Sequence, residues 1–243
     1  MQKVSLQDIH AAGKTSYRSV TLLPKAYWPP EWNTIYYKEY SRFGSIALPE
    51  PESQSKMADL ISNRKSTRNF ESKGLTIEQL SNLLQHIGGE FTRDDGVAHR
   101  AQSSAGARFA IEMYPVVRFS SSSEMQPGVY HYNVKSHALE YLWPITSGNT
   151  KPEQIVQDSW ANKASVHIFF TAVFERSSCK YGARSYRYIC MEAGAMLQNA
   201  YLYAAATDLK LVGYGGTNDN VVENLLRLDG VQESLIVSCL VGI

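Results

Sequence analysis

The chain has 243 residues, 44% hydrophobic and 19% charged, a globular composition with length enough for a sizeable core. Its formal net charge of +1 excludes the broad basic field that recruits nucleic acid. Cys179, Cys190 and Cys239 stand far apart with no CxxC or Cys/His spacing, which argues against a disulfide framework or a metal site and for a reducing, cytoplasmic setting. The N-terminus lacks a signal-peptide core, and the longest apolar run, "VHIFFTAVF", is too short for a bilayer, so no membrane association is expected.

Residues 1–50 make an aromatic-rich arm, "YWPPEWNTIYYKEYSRFGSIALPE" at its end, expected to wrap over a body, its own or a partner's. Residues 51–243 then read as one domain. "KMADLISNR" predicts a short helix. "LTIEQLSNLLQHIGG" predicts a stronger one: Thr76 and Gln79 make a capping box, and Leu80, Leu83, Leu84 and Ile87 share a face that ends at Gly88-Gly89. "ARFAIEMYPVVRF" reads as a strand and "GVYHYNVKSHALEYL" as a hairpin. "PEQIVQDSWAN" predicts a short helix and "ASVHIFFTAVFE" a buried strand. A long helix is expected over residues 181–207, another over "NDNVVENLLRLDG", and a closing strand over "ESLIVSCLVGI". Strands do not alternate with helices as in a doubly wound sheet, and no GxGxxG or P-loop appears, so the class is α+β.

Four stretches carry candidate chemistry. In "NRKSTRNF" an extended backbone lets Arg64, Ser66 and Arg68 converge, and guanidinium with hydroxyl suits a phosphate. "QSSAGARFAIE" places Ser103, Ser104, Ala105 and Gly106 where a flat ligand approaches the backbone. "GYGGTND" offers glycines beside a helix start. Lys180 and Tyr181 sit at the expected mouth of the long helix, where a lysine is electrostatically misplaced and, buried beside a ligand, would be readied as a base. Taken singly, each also has a plain structural explanation: a solvated turn, a loop before a strand, a φ > 0 turn, or a snorkelling lysine with an anchoring tyrosine. The histidines form no ligand pair, and no GxSxG is present.

Taken in order, RKSTR, SSAGARFAIEMYPVV, GVYHYNVKSHALEYL, KYGARSYRYICMEAGAMLQNAYLYAAA and GYGGTND resemble the nitroreductase superfamily, and within it the SagB/McbC-type dehydrogenases that oxidise azolines in peptide natural products. The resemblance runs over about residues 30–243, and the ordered set is far more specific than any one motif. It implies an FMN-binding α+β fold, a mixed or antiparallel central sheet flanked by helices, and an interlocked homodimer with flavins at its interface. It also implies a peptide substrate and cyclodehydratase subunits as partners. By the same resemblance Arg64, Lys65, Ser66 and Arg68 bind the flavin phosphate and ribityl chain. Ser103, Ser104, Ala105 and Gly106 reach the flavin from the other subunit. Gln198 flanks the site, Gly215 and Gly216 lie near the reactive ring edge, and Lys180 and Tyr181 are the catalytic pair. Two departures stand out. Arg108, Phe109 and Ala110 replace an aromatic-proline step, and with no basic residue beyond the closing strand, Arg64, Lys65 and Arg68 are expected to neutralise the phosphate alone. The rival readings are an NAD(P)H-dependent nitroreductase or quinone reductase, which needs no lysine base, and a non-catalytic flavin-binding subunit of a peptide-modifying complex.

Overall fold

The computed structural model describes residues 5–14, 27, 29–50, 55–145 and 154–243. Its centre is a six-stranded sheet in which every neighbouring pair is antiparallel. The strand order is β5 (Ala138–Trp143), β4 (Gly128–Asn133), β3 (Ile111–Val117), β6 (Val166–Val173), β8 (Glu233–Gly242) and β7 (Lys210–Tyr214). A separate two-stranded ribbon pairs β1 (Glu90–Thr92) with β2 (Ala98–Arg100). The α+β class therefore holds.

The middle strand explains the layering. In β6, Val166, Ile168, Phe170 and Ala172 enter one apolar cluster while Phe169 enters the other, because successive side chains of a strand alternate faces. Both faces are buried, so the strand reads as a continuous apolar run rather than an alternation. Burying Phe169 and Phe170 completely contributes about 1.5–3 kcal/mol each. The first face is covered by α4 (Ile77–Gly88) and α6 (Ser185–Ala205), whose Leu80, Leu83, Leu84, Ile87, Ile189, Ala193, Met196 and Ala200 are buried together. Helices α4 and α6 approach closely at Gly88, where a Cβ would lie 2.8 Å from the Met196 terminal methyl. The second face is covered by α7 (Asp219–Leu226) and a 3-10 turn at Ser159–Lys163.

Helix α3 (Lys56–Asn63), α4 with its Thr76–Gln79 capping box, the β4–β5 hairpin, β6, α7 and β8 stand where the sequence puts them. Three elements differ. The helix expected in "PEQIVQDSWAN", whose start lies outside the described residues, is a bridge and the 3-10 turn at Ser159–Lys163 instead. The long helix is broken: α5 (Glu175–Tyr181) ends at Gly182, a residue at φ +55°, a 3-10 turn follows at Gly182–Arg184, and only then does α6 begin. Strand β3 starts at Ile111, because Gly106, Ala107 and Phe109 hold positive φ angles and turn the chain before it.

The arm is divided. Helix α1 (Leu6–Gly13), capped by Ser5 and Asp8, packs on the chain's own body. His10 is buried between Tyr186 (Nδ1 to Oη 3.3 Å) and Ser234 (Nε2 to Oγ 2.8 Å), edge-on to Phe174, and Lys14 pairs with Glu223 at 2.8 Å. After the single turn α2 (Pro30–Asn33), residues 34–50 are exposed throughout, among them Tyr36, Tyr37, Ile46 and Leu48.

Candidate active site

The run after α3 is extended and is tied to the body by the Thr67 N–H donating to the Leu211 carbonyl at 2.9 Å. Alternation then divides its side chains. On one side the Arg64 guanidinium lies 5.2 Å from the Tyr201 ring centre, Ser66 Oγ is 2.9 Å from Tyr201 Oη, and the Arg68 guanidinium lies 6.0 Å from the Trp160 ring centre. On the other side Lys65 lines a groove of about 400 Å³ with Thr67, Asn69, Thr207, Asp208 and Lys210. Arg64 and Ser66 therefore meet at Tyr201 of α6, Arg68 lies over Trp160, and Lys65 faces the groove.

Tyr201 joins Arg64 and Ser66 to the glycine loop. Its hydroxyl also accepts the Gly213 N–H at 2.7 Å, at the end of β7. Beyond it, Tyr214 Oη donates to Asp158 Oδ2 at 3.0 Å and stands edge-on to Trp160, the ring beneath Arg68. Burial, with the Asp158 contacts adding smaller effects of both signs, pushes the Tyr214 hydroxyl up to about 12, so it stays a neutral donor. The Gly216 carbonyl accepts from the Gln157 N–H at 3.1 Å, and Gly215 is exposed with open space where a side chain would be. Among the described residues no carboxylate comes within ion-pair distance of Arg64, Lys65 or Arg68. Arg64 and Arg68, without an acidic partner among the described residues, and the Ser66 hydroxyl are groups whose chemistry suits an anion such as the phosphate of FMN.

The second cluster surrounds Lys180 and Tyr181. Because α5 ends there, Lys180 lies in the last turn of a short helix and not in the first turn of the long one. A cation in that position complements the helix dipole, so the electrostatic misfit expected from the sequence does not exist. The loop of small residues meets the pair directly. A Cβ on Gly106 would stand 2.3 Å from Tyr181 Oη and 2.8 Å from Lys180 Nζ. Tyr181 is half-buried, edge-on to Tyr188 with ring centres 4.9 Å apart, and Lys180 is exposed.

The loop is held from two sides. Ser104 Oγ donates to Glu192 Oε2 at 2.6 Å and accepts the Phe109 N–H at 2.9 Å. Its one proton is therefore committed, and a ligand above this loop meets Ser103, the backbone of Ala105 and Gly106, or both. From α5, Arg176 donates to the Phe109 carbonyl at 3.2 Å and to Glu112 Oε1. His131 bonds Glu112 (3.0 Å) through Nε2 and Glu140 (2.8 Å) through Nδ1, and these carboxylates hold it charged above its usual range, the Glu112 bond most strongly. Burial alone would raise Glu112, but His131 and Arg176 outweigh it and hold its carboxyl below the usual range. Glu192, buried in α6, is pushed up by burial despite its Ser104 bond. A pocket of about 330 Å³ opens here, lined by Ser103, Ser104, Ala105, Tyr188, Met191 and Glu192.

The two clusters lie at different ends of α6. Glu192 and Tyr201 are nine positions apart, which is about 13 Å along the axis and half a turn round it. Gln198 is exposed on the helix between them. Sequence reading missed both anchoring residues. Glu192 did leave a signal, since it falls on the same stripe as Ile189, Ala193 and Met196, where a carboxylate is out of place. Tyr201 left none, being one tyrosine among several in an apolar helix.

The sequence profile of the nitroreductase family, described as such, matches residues 61–243. The chain belongs to the nitroreductase family. It is 30% identical over 183 residues to MJ1384 of Methanocaldococcus jannaschii, a nitroreductase by name, covering 75% of this chain and 89% of that protein. It is 33% identical over 165 residues to the Microcin B17-processing protein McbC of Escherichia coli, covering 64% of this chain and 57% of McbC. It is also 33% identical over 140 residues to the Trifolitoxin-processing protein TfxB of Rhizobium leguminosarum, covering 56% of this chain and 37% of TfxB. The matches thus span little more than half of McbC and little more than a third of TfxB. Among solved structures, a chain of the E. coli Microcin synthetase McbBCD complex with truncated pro-MccB17 bound superposes with a TM-score of 0.75 at 24% identity, covering 98% of this chain and 91% of that one. A nitroreductase-type structure from Ralstonia eutropha gives 0.63 at 28% identity, with 80% and 87% covered. The chain is thus a flavin oxidoreductase of the nitroreductase family with sequence similarity to McbC and TfxB. Among the described residues no helix is long and apolar enough to cross a membrane.

Proposed function

We propose that this protein is an FMN-dependent dehydrogenase that oxidises azoline rings in a peptide to thiazoles or oxazoles, acting as a homodimer. The observation that carries this reading is the contact of Gly106 with Tyr181 Oη and Lys180 Nζ, which puts a primary amine and a phenol on a small-residue loop beside a pocket. An NAD(P)H-driven reductase has no need of such a pair, because its protons come from water.

Arg64, Ser66 and Arg68 would hold the FMN phosphate and ribityl chain, with Gly215 and Gly216 leaving the ring edge uncovered. FMN, when bound, supplies the two-electron acceptor. An azoline becoming an azole loses two electrons and two protons, and the aromaticity gained drives the change. Lys180 Nζ, as the neutral amine, would take the proton from the ring carbon next to the one that gives up its hydrogen with the electron pair. Tyr181 Oη orients that amine and returns the proton towards solvent. Because the two clusters occupy opposite sides of α6, about 13 Å apart along it, one chain's Arg64–Ser66–Arg68 surface is completed by a second copy's Lys180–Tyr181 cluster. The exposed aromatic segment at residues 34–50 supplies a surface for that copy or for cyclodehydratase subunits. The names of McbC and TfxB as processing proteins support the peptide substrate, and the name of MJ1384 supports the reductase alternative.

The test is Lys180→Ala. The variant should bind FMN as the wild type does and form no azole from an azoline peptide. Azole formation at the wild-type rate would refute the assignment. Fast NAD(P)H-dependent reduction of nitroaromatics, unaffected by Lys180→Ala and without azole formation, would favour the reductase.

A further inference from the structure

We propose that Glu192 is a positioning residue for the Lys180–Tyr181 pair, acting through Ser104 on the turn at residues 104–109; this rests on the role given to that pair above. Glu192 is 3% exposed and sits on the apolar stripe of α6. A buried carboxylate is retained only where it has work to do or is fully hydrogen-bonded. Oε1 has no partner in full hydrogen-bond geometry, so the carboxylate is anchored chiefly through Oε2. Its one hydrogen bond of good geometry is the one from Ser104; the Gln102 side chain and the Ala110 and Ile111 backbone lie close by and also favour its charged form.

Ser104 passes that restraint along the chain. By accepting the Phe109 N–H it closes a turn inside which Gly106, Ala107 and Phe109 have φ of +61°, +53° and +45°. Gly106 takes such a conformation freely, whereas Ala107 and Phe109 keep it only where the surroundings over-determine it. Four restraints do so: the Glu192–Ser104–Phe109 chain, the Ala107 N–H on the Ser104 carbonyl at 3.0 Å, Arg176 on the Phe109 carbonyl, and Arg100 over the Phe109 ring at 4.6 Å. Gly106, at the tip of this turn, is the part that faces Lys180 and Tyr181, with no room for a side chain between. Glu192 thus fixes, from the rigid core helix, the wall against which the amine and phenol are set.

The test reads Lys180 itself, without turnover. The full-length protein loaded with FMN is treated with an amine-acylating reagent, and the rate at Lys180 is measured by site-resolved mass spectrometry against the exposed Lys135 of the distant hairpin turn. In Glu192→Ala and in Ser104→Ala the Lys180/Lys135 ratio should change about tenfold, the equivalent of one lost hydrogen bond to a charged group. Glu192→Gln keeps an acceptor for Ser104 and should stay within about twofold of wild type. The double variant Glu192→Ala/Ser104→Ala should match either single variant, since both break one chain of contacts. Should Glu192→Ala not fold, Ser104→Ala on the surface turn answers the same question. An unchanged ratio in Ser104→Ala, a Glu192→Gln variant as altered as Ser104→Ala, or additive effects in the double variant would each overturn the proposal. The labelling pattern holds or fails whether or not an azoline is oxidised, so failure of the proposed function is seen separately.

Discussion

Gly106→Ala places one methyl group between the loop and the Lys180–Tyr181 pair. Two costs follow from the geometry. The backbone there is left-handed, φ +61° and ψ +23°, which costs an L-residue about 1–2 kcal/mol. The new Cβ would stand 2.3 Å from Tyr181 Oη and 2.8 Å from Lys180 Nζ, so the phenol must retreat by about 1 Å to reach ordinary contact. Lys180 is exposed and moves easily, while Tyr181 is wedged against Tyr188. The expected stability loss lowers the melting temperature of a chain this size by about 2–8 °C. A displacement of about 1 Å at a reacting group lowers turnover by about a hundredfold. The assay is azole formation per bound FMN, with a thermal melt on the same sample. A variant that melts lower but turns over normally would refute the claim that Gly106 sets the pair. One that both melts and turns over as the wild type would refute the loop geometry altogether.

Tyr201→Phe removes the hydroxyl shared by Ser66 and the Gly213 N–H; it should cost about 1–3 kcal/mol and weaken FMN binding about tenfold, and an unchanged melt with unchanged affinity would contradict it. Arg176→Met leaves Glu112 with His131 alone; because Arg176 is partly exposed the loss should be about 2 kcal/mol, and adding Glu112→Gln should recover part of it, whereas a fully additive loss would count against the pair. His10 is held below its usual value, by burial first and by Lys14 next, so the stability it contributes is present above pH 6.5 and is lost as pH falls through its folded value. Hydrogen exchange in α1 should therefore quicken as pH drops below 6.5, after correction for the intrinsic rate, and should lose that dependence in His10→Asn. His131, raised by its carboxylates, works in the opposite sense, contributing below pH 6.5 and fading as pH rises through its folded value, so the local measurement at α1 is the one that separates them.

Periodicity and caps made most elements legible. Thr76 and Gln79 mark the start of α4, and the polar turn in "GVYHYNVKSHALEYL" marks the β4–β5 hairpin. Where the apolar pattern continued across a break, the reading continued with it. Gly182 ends α5 at φ +55°, but the flanking sequence looks helical on both sides, so Lys180 was expected at the wrong helix end. Strand β7, only five residues, was hidden behind the end of α6, and the β1–β2 ribbon around "RDDGV" lacks an apolar face of its own. Strain at Ala107 and Phe109 is imposed by Ser104, Arg176 and Arg100 from elsewhere in the chain, so no local pattern records it. In the candidate site the residue types were legible but their sides were not. An extended run tells which side chains alternate, which separates Lys65 from Arg64, Ser66 and Arg68, yet only the placement of Tyr201 and Trp160 says what each side chain meets.

The most direct test is a mass measurement on one azoline-containing peptide incubated with the FMN-loaded protein and oxygen, beside Lys180→Ala under the same conditions. The wild type should remove two hydrogen atoms per ring while Lys180→Ala, equally yellow, removes none. A wild-type protein that leaves the peptide unchanged, or a Lys180→Ala variant that oxidises it as fast, would contradict the account.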